Sequence, residues 1–163
     1  MEKYVSLLIS DSQEHSVCQS RPIHTRLLRF GTDALDPSFS KVNALGVDTW
    51  STGCIFAEMA QKRPLFMGDS EIDQIFKIFK VLGTPNENNW ADALKLPDFK
   101  SSFPRFKGIP MHLHTPSLNE LEVDLLKNLT ALDPNKRISA KMALLHPYFD
   151  TLDKSTLPFQ YTE

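Results

Sequence analysis

Residues 47–60 read Val-Asp-Thr-Trp-Ser-Thr-Gly-Cys-Ile-Phe-Ala-Glu-Met-Ala, and their apolar side chains cover nearly every face of one helix. A helix that is apolar all round is normally buried on all sides. The rest of the chain must therefore supply the neighbours that surround it.

The residues that follow predict a second, amphipathic helix. Ser70 and Asp73 have the spacing of a capping box, in which side chains satisfy the free N–H groups of a first turn. Gly83 is placed to end this helix, and residues 84–87 (Thr-Pro-Asn-Glu) predict the start of another. The apolar stripe of the second helix comprises Ile72, Ile75, Phe76, Phe79 and Leu82.

The C-terminal third also predicts helices and no strands. Residues 95–116 are rich in proline and indicate an ordered, irregular loop. Ser117 and Glu120 form a second potential capping box before a leucine-rich helix that Asp133 and the proline after it would end. Ser139 would begin a last short helix. No segment shows the alternation of a strand, so the predicted fold class is all-α.

Residues 1–39 differ from the remainder in composition. They are rich in Ser, His, Arg and Gln, and their low apolar content cannot offset the entropy lost on ordering. We predict a poorly ordered segment at 1–39, a domain at 40–150 and a tail at 151–163.

Overall composition restricts the class of protein. Among the 163 residues, 41% are hydrophobic and 23% are charged, which is typical of soluble globular chains. The net charge of −2 is mixed along the chain, which argues against a nucleic-acid partner. Cys18 and Cys54 are too few for a disulfide framework. Without a signal peptide or a membrane-length apolar run, we expect no membrane partner and a location in the cytoplasm, the nucleus or both.

Four motifs stand out along the chain. They are Asp-x-Trp-Ser-x-Gly at 48–53, Gly-Asp-Ser-Glu-Ile-Asp-Gln at 68–74, Leu-Gly-Thr-Pro at 82–85, and Asp-Pro-x-x-Arg at 133–137 with His-Pro-Tyr-Phe at 146–149. Together they resemble the C-terminal, large lobe of a cyclin-dependent kinase, a serine/threonine protein kinase. The resemblance extends from about residue 40 to about residue 150, and it implies the helical large-lobe part of the protein-kinase fold.

The resemblance implies structural roles for Asp48, Trp50, Gly53 and Arg137. Asp48 would stand at the start of a central helix and accept hydrogen bonds from the catalytic loop, while Trp50 and Gly53 belong to the same motif. Arg137 would pair with the glutamate of an Ala-Pro-Glu motif. A plainer alternative for Asp48 is that it only caps its helix.

The resemblance also implies a partner. Glu71, Ile72 and Asp73 would lie on the face that docks the small Cks-type regulatory subunit. The alternative is that these acids merely suit the dipole at a helix start. Cyclin contact is not expected without the small lobe.

The parts that transfer phosphate in this family are not found in the chain. Phosphoryl transfer needs a glycine-rich loop, a strand lysine, Mg²⁺ ligands and a catalytic aspartate. No two glycines stand two residues apart, and residues 29–31 read Arg-Phe-Gly where the family has Asp-Phe-Gly. We therefore predict no catalytic, cofactor-binding or metal-binding residue here, although the family uses ATP and Mg²⁺.

Two other clusters have simpler explanations than catalysis. His112 and His114 have no third metal ligand nearby, which favours a solvated pair. Glu120, Glu122 and Asp124 lie at a helix start, where acids suit the dipole.

The missing chain has a predicted energetic consequence. In the family, segments upstream wrap the helix at 47–60, so here its large apolar side chains are expected to meet water, at about 1.5–3 kcal/mol each. Arg137 buried without its glutamate would cost about 3–5 kcal/mol more. We expect a marginal chain or one that needs a partner.

Two hypotheses of function follow from the sequence. In the first, the chain is a truncated, pseudokinase-like large lobe without the N-lobe, catalytic loop and activation segment, and is at most a protein-binding module. In the second, it is a fragment or faulty gene model of an active ATP-dependent serine/threonine kinase acting in cell-cycle control. The chain's status as an enzyme stays open between them.

Overall fold

The computed structural model describes residues 37–96 and 99–152. These residues form helices and contain no β-strand, which confirms the all-α prediction. The predicted segment at 1–39 lies outside the described residues except for its end, as does most of the predicted tail at 151–163. The α-helices are α1 (Pro37–Gln61), α2 (Glu71–Leu82), α3 (Met111–His114), α4 (Glu120–Leu129) and α5 (Ala140–Ala143), with 3-10 turns at Ala91–Lys95, Pro134–Lys136 and Pro147–Phe149.

Helix α1 begins at Pro37, ten residues before the apolar run at 47–60 from which it was predicted. Pro37 suits a first helical position because its fixed φ matches the helix. Between Pro37 and Asp48 no further proline interrupts the helix, and the largest propensity cost is that of Gly46, about 1 kcal/mol. The helix therefore continues through Asp48, and the prediction that Asp48 stands at a helix start is wrong.

Helix α1 is covered by chain that follows it. It packs mainly against α4, and the ring of Phe56 meets that of Tyr148 with centroids 5.5 Å apart. Trp50 and Phe56 are buried, and Ile55 and Met59 are half-buried. The prediction that the large side chains of residues 47–60 meet water is wrong, because downstream elements supply the missing neighbours.

Helix α2 has the predicted ends and most of the predicted buried face. Ser70 Oγ accepts a hydrogen bond from Asp73 N at 3.2 Å, and Gly83, with φ of 92°, ends the helix. The predicted stripe is correct except at its first residue, since Ile72 is 46% exposed.

The segment after α2 is a turn, so the helix predicted from residues 84–87 is wrong. Asn86 Oδ1 accepts hydrogen bonds from the backbone N–H groups of Asn88 and Asn89. Asn89 Oδ1 accepts one from Asn86 N in return. Short amide side chains that bond nearby backbone in this way compete with helix formation.

Helix α4 begins two residues later than predicted. Its capping box joins Asn119 and Glu122, each side chain accepting from the other's backbone N–H at 3.0 and 2.8 Å. Ser139 caps α5 as predicted, accepting from Met142 N. No helix within the described ranges combines the length and the apolar character needed to cross a bilayer.

Candidate protein-docking site

The first turn of α2, residues 71–73, presents an apolar side chain between two acids and is here called the docking turn. Ile72 is almost half exposed, Glu71 is exposed, and Asp73 is half-buried. Full burial of an isoleucine contributes about 1.5–3 kcal/mol, and Ile72, with 46% of its surface exposed, realises only part of this. This turn could receive a partner that offers an apolar contact flanked by cations.

Gln74 holds this turn in place. Its side chain is 2% exposed, and its Oε1 accepts a hydrogen bond from Gly68 N at 2.7 Å while its Nε2 donates to Phe66 O at 3.2 Å. A Cβ atom at Gly68 would lie 2.5 Å from the Gln74 backbone, so only glycine fits there. Residues 66–74 are therefore one fixed unit.

This role of Gln74 was not predicted from the sequence. A polar residue outside the apolar stripe of a helix is ordinarily exposed, whereas this side chain is turned inward to bond backbone. The signal available in the sequence was the glycine six residues before it, because a buried amide needs backbone partners that approach closely.

The carboxylate of Asp73 is partly engaged within the protein. Its Oδ2 accepts a hydrogen bond from Asp69 N at 3.0 Å and lies 3.9 Å from Lys77 Nζ. Acids in a first turn also suit the helix dipole. Both interpretations of these acids from the sequence, docking and dipole, fit this geometry.

His114 supports the same region and is not a free, solvated side chain. It is half-buried, and its Nε2 donates to Leu65 O at 3.0 Å, which ties α3 to the segment before the docking turn. The predicted solvated pair is therefore wrong for His114, while His112 is exposed. Within residues 37–96 and 99–152, no three His, Cys, Asp or Glu side chains are grouped so as to hold a metal ion.

Arg137 and Trp50 form a second group, in which Trp50 is buried and Arg137 is half-buried. The Arg137 guanidinium lies 4.8 Å from the centre of the Trp50 ring. It donates from Nη1 to Gly46 O at 2.7 Å, from Nε to Ala131 O at 2.8 Å and from Nη2 to Leu132 O at 3.4 Å. Burial lowers the pKa of Arg137 to about 10, so it stays charged at neutral pH.

No carboxylate in the described part of the chain lies within ion-pair distance of Arg137. Backbone carbonyls and an aromatic face take the place of the glutamate that the resemblance implied. The expected cost of an uncompensated buried charge is reduced accordingly.

Asp48 and Gly53 are the other two residues for which the resemblance implied a structural role. Asp48 is half-buried, and burial raises the pKa of its carboxyl above the ordinary value. At Gly53, α1 approaches α4 so closely that an added Cβ would lie 2.7 Å from Thr130 Cγ2.

The two groups are linked through Phe66. Its ring stacks on Trp50, with centroids 5.8 Å apart, and its carbonyl accepts the hydrogen bond from Gln74. The packing around Arg137 thus extends to the docking turn at Ile72.

Two of the remaining acids, Glu122 and Asp124, have partners within the protein. Glu122 belongs to the capping box of α4, and Asp124 Oδ2 accepts from His146 Nε2 at 3.0 Å. His146 Nδ1 accepts from Tyr148 N, so the ring proton is on Nε2. Ser51 Oγ donates to Val47 O. These contacts give Glu122, Asp124 and Ser51 structural roles.

One comparison with known proteins bears on these groups. A family model described as "Protein kinase domain" matches residues 40–149, about two thirds of the chain. The match covers both the Arg137 group and the docking turn.

Proposed function

Because the chain belongs to the protein kinase family, we propose that residues 40–149 act as a protein-docking module of the cyclin-dependent type. In this proposal the module binds a small Cks-type regulatory subunit through Glu71, Ile72 and Asp73, and does not itself transfer phosphate.

The exposure of Ile72 carries the proposal. This side chain stands at 46% exposure on a helix whose other stripe residues are buried or half-buried. The bonds from Gln74 fix its backbone, so little conformational entropy would be lost when a partner covers it. The flanking acids would add charge complementarity to a basic partner.

The sequence supports the second part of the proposal, that the module does not itself transfer phosphate. The 163 residues include no glycine-rich phosphate loop and no His-Arg-Asp or Asp-Phe-Gly sequence. Phosphoryl transfer depends on those groups for positioning and for charge neutralisation. Trp50, Gly53 and Arg137 are instead occupied with packing and internal hydrogen bonds.

Capture of a purified Cks-type subunit by the full chain tests the docking surface. We expect binding, and we expect Ile72→Asp to weaken it by about tenfold or more, because the substitution replaces a buried apolar contact with a charge. Leu145→Asp is the matched control, since Leu145 is 61% exposed outside this turn. Equal losses for both variants, or no capture by the parent chain, would contradict the proposal.

The family match also supports a second function, that the chain contributes to an active serine/threonine kinase of cell-cycle control using ATP and Mg²⁺. Calorimetric titration with ATP–Mg²⁺ separates the two. Docking alone predicts no heat of binding, and a saturable heat together with phosphate transfer to a protein serine would favour the active enzyme.

A further inference from the structure

The segment that passes the C-terminal end of α2 has an open backbone edge. Residues 104–107 run without a turn or bend beside Thr84. Thr84 N donates to Phe106 O at 3.0 Å, and Thr84 Oγ1 accepts from Phe106 N at 2.9 Å. The same hydroxyl donates to Pro104 O at 2.7 Å.

The hydrogen bonds alternate along this segment. Pro104 and Phe106 turn their peptide groups inward to Thr84, whereas those of Arg105 and Lys107 have no hydrogen-bond partner among the described residues. In a straight chain, successive peptide groups point to opposite sides. Arg105 therefore directs its N–H and C=O groups outward, and Lys107 directs its N–H outward, as an edge strand does. The Lys107 carbonyl instead lies beside Gly83, where an added Cβ would meet its oxygen at 3.4 Å.

The segment is held firmly at both ends. The Phe103 ring contacts Phe76 and Phe99 at 5.7 and 5.6 Å between centroids, and Ile109 N donates to Val81 O at 2.8 Å. Gly108 has φ of 84°. This conformation ends the alternation of inward and outward groups, so that the N–H of Ile109 points inward. The open edge is therefore confined to residues 105–107.

The charge around this edge is positive. Arg105 and Lys107 are exposed, and Lys80 Nζ lies 5.8 Å from the centre of the Phe106 ring. No described carboxylate pairs with any of the three, and residues 99–116 contain no Asp or Glu although the chain has a net charge of −2. The dipole of α2 accounts for Lys80 at its end, but not for the other two cations.

We propose that residues 105–107 bind an acidic, extended peptide segment of a partner protein. The peptide adds its backbone to the open edge as a neighbouring strand. Its carboxylates lie against Arg105, Lys107 and Lys80. Backbone pairing supplies the orientation, and the three cations supply the preference for acidic sequence.

This surface is distinct from the docking turn at Ile72. Lys80 and Glu71 are nine residues apart on α2, about 14 Å along the helix axis, and they carry opposite charge. Whether or not this surface binds an acidic peptide, the proposed binding of a Cks-type subunit at Ile72 is tested separately.

Fluorescence anisotropy with a labelled Val-Glu-Val-Glu-Val-Glu peptide and the full chain tests the proposal. We expect saturable binding that weakens as salt is added. The double variant Arg105→Glu/Lys107→Glu should weaken it about tenfold. The matched control is Arg63→Glu/Lys141→Glu, which reverses one exposed arginine and one exposed lysine elsewhere and should bind like the parent.

A second peptide separates strand pairing from simple charge attraction. N-methylation of two consecutive central residues blocks both edges of the peptide while keeping its charge, and we expect its binding to be lost. Equal binding of the N-methylated peptide, or equal binding by the charge-reversed chain, would overturn the proposal. If an oligouridylate binds more tightly than the acidic peptide, and the same charge reversals weaken that binding, the result overturns the proposal and indicates a nucleic-acid surface instead.

Discussion

The guanidinium of Arg137 shows how a half-buried cation is held without an ion pair among the described residues. Three carbonyls accept its hydrogen bonds, and the Trp50 ring lies 4.8 Å away. Hydrogen bonds from a charged donor contribute about 1.5–3 kcal/mol each, and a desolvated cation–π contact contributes about 2 kcal/mol. Together they offset much of the cost of burial. The Nη1 bond also joins residues 46 and 137, which places the two ends of the domain together.

Asp48 is a site at which removal of a charge should raise stability. Burial raises the pKa of its carboxyl, so the charged form is less favourable in the folded than in the unfolded chain. The folded state therefore loses stability as pH rises from below the ordinary Asp value, about 3.9, to above the raised one. We expect Asp48→Asn to increase the free energy of unfolding at pH 7 and to have little effect at pH 3.

Urea unfolding of the parent chain and of Asp48→Asn at both pH values measures this difference. Asp150→Asn, a substitution at an exposed position, serves as the control for loss of one negative charge. A stabilisation by Asp48→Asn that persists unchanged at pH 3 would show that desolvation of the carboxylate is not its cause.

At the scale of elements, the crossing of α1 and α4 depends on Gly53. A Cβ atom there would lie 2.7 Å from Thr130 Cγ2 and 2.9 Å from Leu129 Cβ. Thr130 is fully buried and its hydroxyl donates to Leu126 O, so it cannot move aside. We expect Gly53→Ala to destabilise the chain by about 1–3 kcal/mol through overpacking, despite the better helix propensity of alanine.

Gly46, on the same helix, provides the opposite case. An added Cβ would meet Arg137 Nη1 at 3.6 Å, an ordinary contact. Gly46→Ala should therefore stabilise by about 0.5–1 kcal/mol through helix propensity alone. Denaturant midpoints of the two variants measure the contrast. A loss of stability at Gly46 would contradict a helix that continues through this residue.

At the scale of the whole molecule, one core joins distant parts of the chain. The Phe149 ring is 1% exposed and meets that of Tyr148 at 4.8 Å between centroids, and Tyr148 in turn contacts Phe56. We expect Phe149→Ala to lower the free energy of unfolding by about 3–5 kcal/mol. Because the core is continuous, the loss should appear equally in tryptophan fluorescence and in far-UV circular dichroism.

Coincident transitions by the two probes would indicate cooperative unfolding. Leu145→Ala is the matched control, since Leu145 is largely exposed close to Phe149 in sequence, and it should change stability by less than about 0.5 kcal/mol. A fluorescence transition unaffected by Phe149→Ala would show that the C-terminal turn and α1 unfold independently.

Local sequence patterns were enough to predict the helical class, membership of the protein kinase family, both ends of α2 and the start of α5. Ser70, Gly83 and Ser139 act on backbone groups within four residues, so their roles follow from local spacing. The capping residue of α4 was misplaced because Ser117 and Asn119 compete over the same few positions, and both suit a helix start.

The partners of Arg137, the clamp at Gln74 and the open edge at residues 105–107 became apparent only from the fold, because the contacting groups are separated along the chain. Arg137 bonds a carbonyl 91 residues away, and Thr84 bonds residues 20 and 22 positions ahead. No local pattern of polar and apolar residues specifies such contacts, because they depend on which elements pack together and how closely their backbones approach.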